Sequence, residues 1–566
     1  MAVSGQSVPT GATAAAPPAR NRQRGRFAAM LPAIIVGAPL VLFVLFPLVH
    51  ILGRSFSTPG GFGLANYEEM LGNARFLRIT YNSFEVTIVS AGAAVMLAYV
   101  FAYAIQRSTI PMRNLFRIIA VMPLFAPSLV QAQGLVLLFG RNGLINRTLD
   151  TNFDIYGYWG IVIASVLYVF PYAFLILSAA LAVADARLYE SAEMLGASKW
   201  RAFRSVTLPS TRYGLAAAIF VCFTLVITDF GNPMVIGGDY MVLASEVYNQ
   251  VIGQANFEMG TVIGMVLLIP AAIAAIVEKR VSARQHAIIN EHSKPLTPHR
   301  DRRRDLMLMA VVLGVSGAIL AILAVVVFAS FVHLWPYRMT FSLRHYDFDV
   351  QQGTQPLWNS VYISLMAAGL GMVVVTAAAY VLEKFPSPAA RGLYFLSILP
   401  AAVPGLVLGL GYILAFNNPS NPIYAIYGTL FIIAIANVYY YHAHGFLISG
   451  TSFKQISGRF DEASATLGGS RLQTFTKVTL PLMFPTLVGI AVFFFMRSMV
   501  TLSAVIFLIT PHTQVAAVSV LYLQDRGATN QAAAFSVCII AIVVVALLAV
   551  RVLLNLLGYR NVSLIR

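Results

Sequence analysis

Two stretches decide the reading of this chain: Glu190-Ser-Ala-Glu-Met-Leu-Gly196-Ala-Ser-Lys-Trp-Arg-Ala-Phe-Arg-Ser-Val-Thr-Leu208-Pro209 and Glu462-Ala-Ser-Ala-Thr-Leu-Gly468-Gly-Ser-Arg-Leu-Gln-Thr-Phe-Thr-Lys-Val-Thr-Leu480-Pro481. In both, glycine stands six residues after glutamate, and Leu-Pro follows twelve to thirteen residues after the glycine. Self-similarity at a fixed offset is the mark of a repeat. The offset here is 272, pairing Glu190 with Glu462, Gly196 with Gly468 and Pro209 with Pro481. Upstream it is 277: Asn82-Ser83 pairs with Asn359-Ser360, Tyr103 with Tyr380, Pro123 with Pro400, Pro127 with Pro404 and Gly134 with Gly411. The chain is therefore two copies of one unit.

Each unit is built of apolar runs. Of 566 residues, 58% are hydrophobic and only 11% charged, with a mean hydropathy of +0.76. Soluble domains carry about 25% charged residues, so composition excludes a soluble enzyme, a disordered protein and a disulfide scaffold. Cys222 and Cys538, the two cysteines, lie in apolar runs. A helix needs about 20 mostly apolar residues to cross the hydrocarbon, whereas barrel strands would show alternating segments of about ten. Twelve continuous runs are present, near 30–52, 82–105, 115–139, 157–183, 211–230, 258–278, 306–333, 359–383, 392–416, 424–448, 482–510 and 532–557. The expected fold is all-α and polytopic, with twelve transmembrane helices as two parallel six-helix repeats about a pseudo-twofold axis along the membrane normal. Its parts are a basic disordered arm (1–29), a first half (30–278), a basic linker (279–305), a second half (306–557) and a tail (558–566). The arm followed by an apolar run resembles a signal peptide, but the run is too long and no small-x-small site follows it, so it reads as an uncleaved first span.

The net charge of +16 looks at first like nucleic-acid binding. Placed on the spans, it reports topology instead. With the N-terminus inside, the inner segments hold 29 basic and ten acidic residues, a net of +19, against −3 elsewhere. Basic residues concentrate in cytoplasmic loops. Both termini and the two repeated loops are thus expected in the cytoplasm, with the chain in a bacterial inner membrane and no nucleic-acid partner.

Locally, each repeated loop reads as a short helix opened by acids (Asp185, Glu190; Asp461, Glu462), a turn at Gly196 or Gly468, and a second amphipathic helix. Pro209 and Pro481 are expected to end the loop and start the next span. This pair of loops resembles the EAA loops of binding-protein-dependent ABC importer permeases, and the resemblance covers both halves, residues 30–557. It implies a coupling surface for ATPase subunits at Glu190, Ala192, Gly196, Leu208, Pro209, Glu462, Ala463, Gly468, Leu480 and Pro481. The alternative is an ordinary amphipathic surface helix. The chain has no G-x-x-x-x-G-K-[ST] phosphate loop. It is therefore expected to bind no cofactor and catalyse no reaction, with ATP and magnesium held by two separate ATPase subunits. An extracytoplasmic solute-binding protein would dock on outer loops 53–81, 140–156, 231–257, 334–358 and 511–531.

An ionisable side chain within a span is a functional candidate by default. Arg497 lies in Phe-Phe-Phe-Met-Arg-Ser-Met-Val, where the first half has Leu225, and Asp229 aligns with Thr501 one turn on. Two readings stay open. Arg497 lines the pathway and meets an anionic substrate, while Asp229 helps order a gate with Thr501; or Arg497 forms a structural ion pair with Asp229 or Glu85. Asn82 and Asn359 read as helix caps or cross-links, the prolines as bends in each third span, and Gly405, Gly409 and Gly411 as close packing. His442 and His444, at i and i+2, do not share a helix face and make a poor metal site.

The fused two-half form resembles the permeases of ferric-iron and 2-aminoethylphosphonate importers. The stretches Thr228–Phe257 and Ser503–Leu508 look more like the aminoethylphosphonate group, and ferric iron is the alternative. An ion-coupled secondary transporter is the rival from another class, and it has no need of the paired loops. A channel is disfavoured because no ring of pore charges is evident.

Overall fold

The computed structural model describes residues 19–183, 185–286, 301–348 and 353–559, with no side-chain description for 19–29 and 283–286. Among the described residues, nine helices are long and apolar enough to cross a membrane, and counting each of three bent helix pairs as one span brings the total to twelve. In the first half the spans are Met30–Ser55, Ala74–Arg107, Arg113–Phe125 with Leu129–Thr148, Tyr158–Ala182, Lys199–Ile227 and Phe257–Ser282. In the second they are Arg302–Ser330, Gln355–Lys384, Pro388–Ala402 with Gly405–Phe416, Leu430–Tyr440 with His442–Gln455, Arg471–Met499 and Thr529–Leu556. All twelve expected runs are present. The first helix begins at Ala19, so residues 19–29 of the expected disordered arm are helical, and residues 1–18 lie outside the described residues. The middle of the linker, 287–300, and the tail from 560 also lie outside them.

The third span of each half is broken at its paired prolines, by 102° in the first half and 112° in the second. Proline removes a backbone donor and disfavours helical geometry in the residue before it. Two prolines four residues apart therefore turn one apolar run into two helices.

The halves are interlocked. The first span of each half packs against the third span of the other. The approach is close at one equivalent pair of glycines. A Cβ on Gly134 would lie 2.6 Å from the Ile322 side chain and 2.9 Å from its carbonyl oxygen. A Cβ on Gly411 would lie 2.9–3.0 Å from Pro47 and Ile51. The repeated glycine is thus the seat of the crossing-over helix, where only a bare backbone fits.

After the fifth span each half folds back as a non-spanning segment (Gly231–Ile236 and Leu243–Tyr248; Ala516–Asp525). The repeated Asn-Ser pair holds it. Asn82 donates to the Met241 carbonyl at 3.1 Å, and Ser83 Oγ accepts from the Leu243 amide at 2.7 Å. Asn359 donates to the Gln514 carbonyl at 2.9 Å, and Ser360 Oγ accepts from the Ala516 amide at 2.8 Å. Irregular backbone at membrane depth must find its hydrogen bonds within the protein, and these two side chains supply them in both halves.

Candidate functional site: paired loops joined to an arginine-lined cavity

Each repeated loop is a helix–turn–helix, Ala186–Met194 then Lys199 onward, and Arg459–Thr466 then Arg471 onward. The turn residues are left-handed, with φ of +71° at Gly196 and +75° at Gly468. Around them runs a Schellman closure. The Ala197 amide donates to the Ala192 carbonyl and the Gly196 amide to the Glu193 carbonyl, both at 2.9 Å. In the second loop Gly469 donates to Ser464 at 2.8 Å and Gly468 to Ala465 at 3.0 Å. The structural counterpart of Ala192 is therefore Ser464, one residue past Ala463. Ser198 and Ser470 cap the second helices by accepting from the Arg201 and Gln473 amides at 3.3 Å. Glu190 and Glu462 stand on the exposed side of their helices.

The prolines do not end the loops, contrary to expectation. Lys199–Ile227 and Arg471–Met499 are each one continuous helix of 29 residues. The reason is a π-turn placed just before the proline. The Leu208 amide bonds to the Phe203 carbonyl and the Leu480 amide to the Phe475 carbonyl. Widening the ladder by one residue there lets Pro209 and Pro481 follow without breaking it. The first span uses the same device at Phe46-Pro47. At about 1.5 Å rise per residue, each such helix is a rod of roughly 40 Å from loop to membrane interior.

Equivalent aromatic contacts fix these rods to the second spans. Tyr103 packs edge-on against Phe203 at 5.8 Å, and its counterpart Tyr380 meets Phe475 at 4.4 Å. Ion pairs tie the loops differently. Lys384 binds Asp461 within the second half, whereas Lys199 reaches Asp301 ahead of the second half's first span, each at 2.5 Å. The hydrogen bond from Lys199 holds the Asp301 carboxyl below its ordinary range.

The sequence reading missed the apolar tips of these loops. Met194, Leu195 and Leu467 are 86–89% exposed, and Trp200 and Leu472 are 70% exposed. Large apolar residues standing free at a loop tip mark an interaction surface. A leucine immediately before a left-handed glycine, repeated at one offset, was the available signal.

The rods end at one cavity of about 50 Å³, whose lining includes Arg497, Asp229 and Thr501. The three candidates thus come together, although 268 residues separate Asp229 from Arg497. Arg497 donates to the Tyr172 hydroxyl at 2.6 Å, across the boundary between the halves. Its guanidinium lies 5.0 Å from the Tyr441 ring centre and 5.8 Å from that of Tyr172. The Tyr441 hydroxyl meets Thr501 Oγ1 at 2.8 Å, and Thr501 donates to the Arg497 carbonyl. Tyr168, Tyr440, Ser128, Thr228 and Ser503 complete the polar part of the wall.

The ion-pair reading of Arg497 is not what the geometry shows. No carboxylate lies within 4.0 Å of it among the described residues. Asp229 faces its own backbone. It accepts from the Gly231 amide at 3.2 Å and from the Asn232 side chain at 2.8 Å, bracing the fold-back after the fifth span. Glu85 accepts from the Tyr240 hydroxyl at 2.9 Å. Sequence inspection did not find the tyrosines, which are indistinguishable from core aromatics until the halves are assembled. Among the described residues there is no cluster of three or more His, Cys, Asp or Glu able to hold a metal.

A polytopic helical bundle of two fused six-span units, with two loop-borne rods converging on a buried polar cavity, has the architecture of a membrane permease. The chain belongs to the family described as "Binding-protein-dependent transport system inner membrane component", which it matches twice, at residues 94–285 and 379–560. It is similar to the ferric transport system permease protein FbpB of Actinobacillus pleuropneumoniae, 29% identical over 543 residues, 91% of this chain and 77% of the relative. It is equally similar to a putative ferric transport system permease protein FbpB 1 of Haemophilus influenzae, 29% identical over 501 residues, 84% of this chain and 77% of the relative. It also resembles the sulfate transport system permease protein CysW of Synechococcus elongatus, 23% identical over 264 residues, 44% of this chain and 91% of the relative.

Proposed function

We propose that this chain is the transmembrane subunit of an ATP-driven importer for a small oxyanion-bearing solute, 2-aminoethylphosphonate or a close analogue. The observation that carries the cargo reading is Arg497: a half-buried cation, bonded to a tyrosine hydroxyl and facing a cavity lined with hydroxyls, with no carboxylate in ion-pair range among the described residues. An arginine in low dielectric attracts an oxyanion strongly and offers it bidentate donors. The same charge repels a bare metal cation.

The paired loops are the coupling surface. Two ATPase subunits, carrying ATP and magnesium, dock on the exposed apolar tips around Gly196 and Gly468 from the cytoplasm, where both termini also lie. An extracytoplasmic binding protein delivers solute to the opposite face. Closure of the ATPases tilts both loops, and the continuous helices Lys199–Ile227 and Arg471–Met499 carry that motion to the cavity at their far ends. Asp229 braces the first half's fold-back segment and Thr501 ties the end of its rod to Tyr441, contacts that must loosen for the cavity to open.

A ferric-iron cargo is the second reading, favoured by the names of the two relatives at 29% identity. On that reading, iron would have to pass Arg497 in company with an anion. Uptake into proteoliposomes with the cognate ATPase and binding protein decides between them. The proposal expects 2-aminoethylphosphonate to stimulate ATP hydrolysis and accumulate, with Arg497→Gln abolishing accumulation and Arg497→Lys retaining a fraction. Stimulation by ferric complexes alone would replace the first reading with the second. Import driven by an ion gradient without ATP would overturn both.

A further inference from the structure

We infer that the first half carries a capture site for a small zwitterion, an oxyanion joined to an ammonium, in the cleft at the end of the bundle opposite the paired loops. The cleft measures about 760 Å³ and is lined by Arg75, Arg78 and Arg141 together with Asp154, Asp239 and Tyr156. Ligand pockets for small molecules span about 300–1,000 Å³, a range that includes this cleft.

The three arginines are in different states. Arg75 is committed to Glu246, whose side chain is fully buried, at 3.1 Å. Arg141 and Asp154 are 3.9 Å apart with both side chains mostly exposed, a loose pair of little intrinsic worth. Arg78 is exposed and has no ion-pair partner among the described residues. Arg78 and Arg141 are therefore available to an oxyanion, and Asp239 and Asp154 to an ammonium in the same cleft.

Two of the three charges are not demanded by the fold. The repeat places Gln352, Gln355 and Asn418 where the first half has Arg75, Arg78 and Arg141. A second half built on the same scaffold does without cations at the places of Arg78 and Arg141, so those two answer something other than folding, whereas Arg75 neutralises the buried Glu246 of its own half.

The cleft and the Arg497 cavity share walls. The span Tyr158–Ala182 begins beside Gly157 at the cleft and carries Tyr168 and Tyr172 at the cavity, about 17–23 Å further along at 1.5 Å per residue. The fold-back segment lines the cavity with Asp229–Gly231 and the cleft with Gly238–Met241. Solute released into the cleft thus lies at the outer end of the walls that lead to Arg497.

This site deepens the oxyanion reading and rests on it for the identity of the solute. Its test is direct binding to the full chain, purified in phosphorus-free detergent, followed by ³¹P line broadening of 2-aminoethylphosphonate and of methylphosphonate. Wild type is expected to broaden 2-aminoethylphosphonate more than methylphosphonate, and less at high salt. Arg78→Gln with Arg141→Asn, the second half's own residues, should weaken binding at least tenfold. Asp239→Asn should erase the preference for the aminated ligand. Arg78→Glu gives a second variant at an exposed position. Unchanged broadening in these variants, or none in wild type, overturns the site. So does a variant that loses only its affinity for the binding protein. Binding without any ATP-driven phosphonate uptake would leave the cleft standing and sink the cargo. Uptake with half-saturation unmoved by the variants would do the reverse.

Discussion

Gly196 and Gly468 offer the most exacting test of the coupling mechanism, because the cost of changing them can be isolated. Their φ angles are +71° and +75°, yet a Cβ added at either meets nothing within 4 Å. Alanine there would create no clash with a neighbour. Its cost is the backbone penalty of a left-handed L-residue, about 1–2 kcal/mol. That shifts the balance between formed and unformed turn by roughly 5- to 30-fold per loop, at 1.4 kcal/mol per factor of ten. Asparagine, which tolerates this region better, should cost less. Proline, fixed near φ −65°, should forbid the turn.

The same loop provides its own control. Gly458 also has open space around its Cβ but sits at φ −59°, so Gly458→Ala should be silent. The assay is the ratio of solute imported to ATP hydrolysed in proteoliposomes, together with co-purification of the ATPase subunits. The expected order is wild type and Gly458→Ala, then asparagine, then alanine, then proline at 196 and 468, with the protein still inserted throughout. Normal import by the double alanine variant, or an equal loss in Gly458→Ala, refutes the reasoning.

Other consequences follow from the same structure. Tyr172→Phe removes the hydroxyl that accepts from Arg497; a hydrogen bond to a charged group contributes about 1.5–3 kcal/mol, so uptake should fall roughly tenfold or more while insertion is unchanged. Leu195→Ser with Leu467→Ser strips exposed apolar tips that no neighbour covers. It should weaken ATPase co-purification without lowering the melting temperature of the isolated chain. Gly134→Ala and Gly411→Ala press a methyl group into the crossing helix of the opposite half. Overpacking of this kind costs about 1–3 kcal/mol, read as a lower melting temperature in detergent, and Gly489→Ala, which meets nothing within 4 Å, should leave it unmoved.

The sequence by itself determined the number of spans, the repeat and the position of the loops. These are local properties: about 20 apolar residues in a row, a glutamate–glycine spacing, a glycine that frees φ. It placed Arg497 and Asp229 as candidates because ionisable residues in apolar runs stand out one at a time, and Thr501 because the repeat aligns it with Asp229. It misjudged Pro209 and Pro481 because a π-turn leaves no composition signature: the same Val-Thr-Leu-Pro fits a helix start and an uninterrupted helix equally well. What only the tertiary structure decided are the pairings across the chain. Gly134 and Gly411 recur because the first span of each half is seated in the other half. Arg497 meets Tyr172, 325 residues away, rather than Asp229. Such contacts depend on how two pseudo-equivalent halves interlock, and no periodicity along one strand of sequence encodes which helix of the other half arrives beside it.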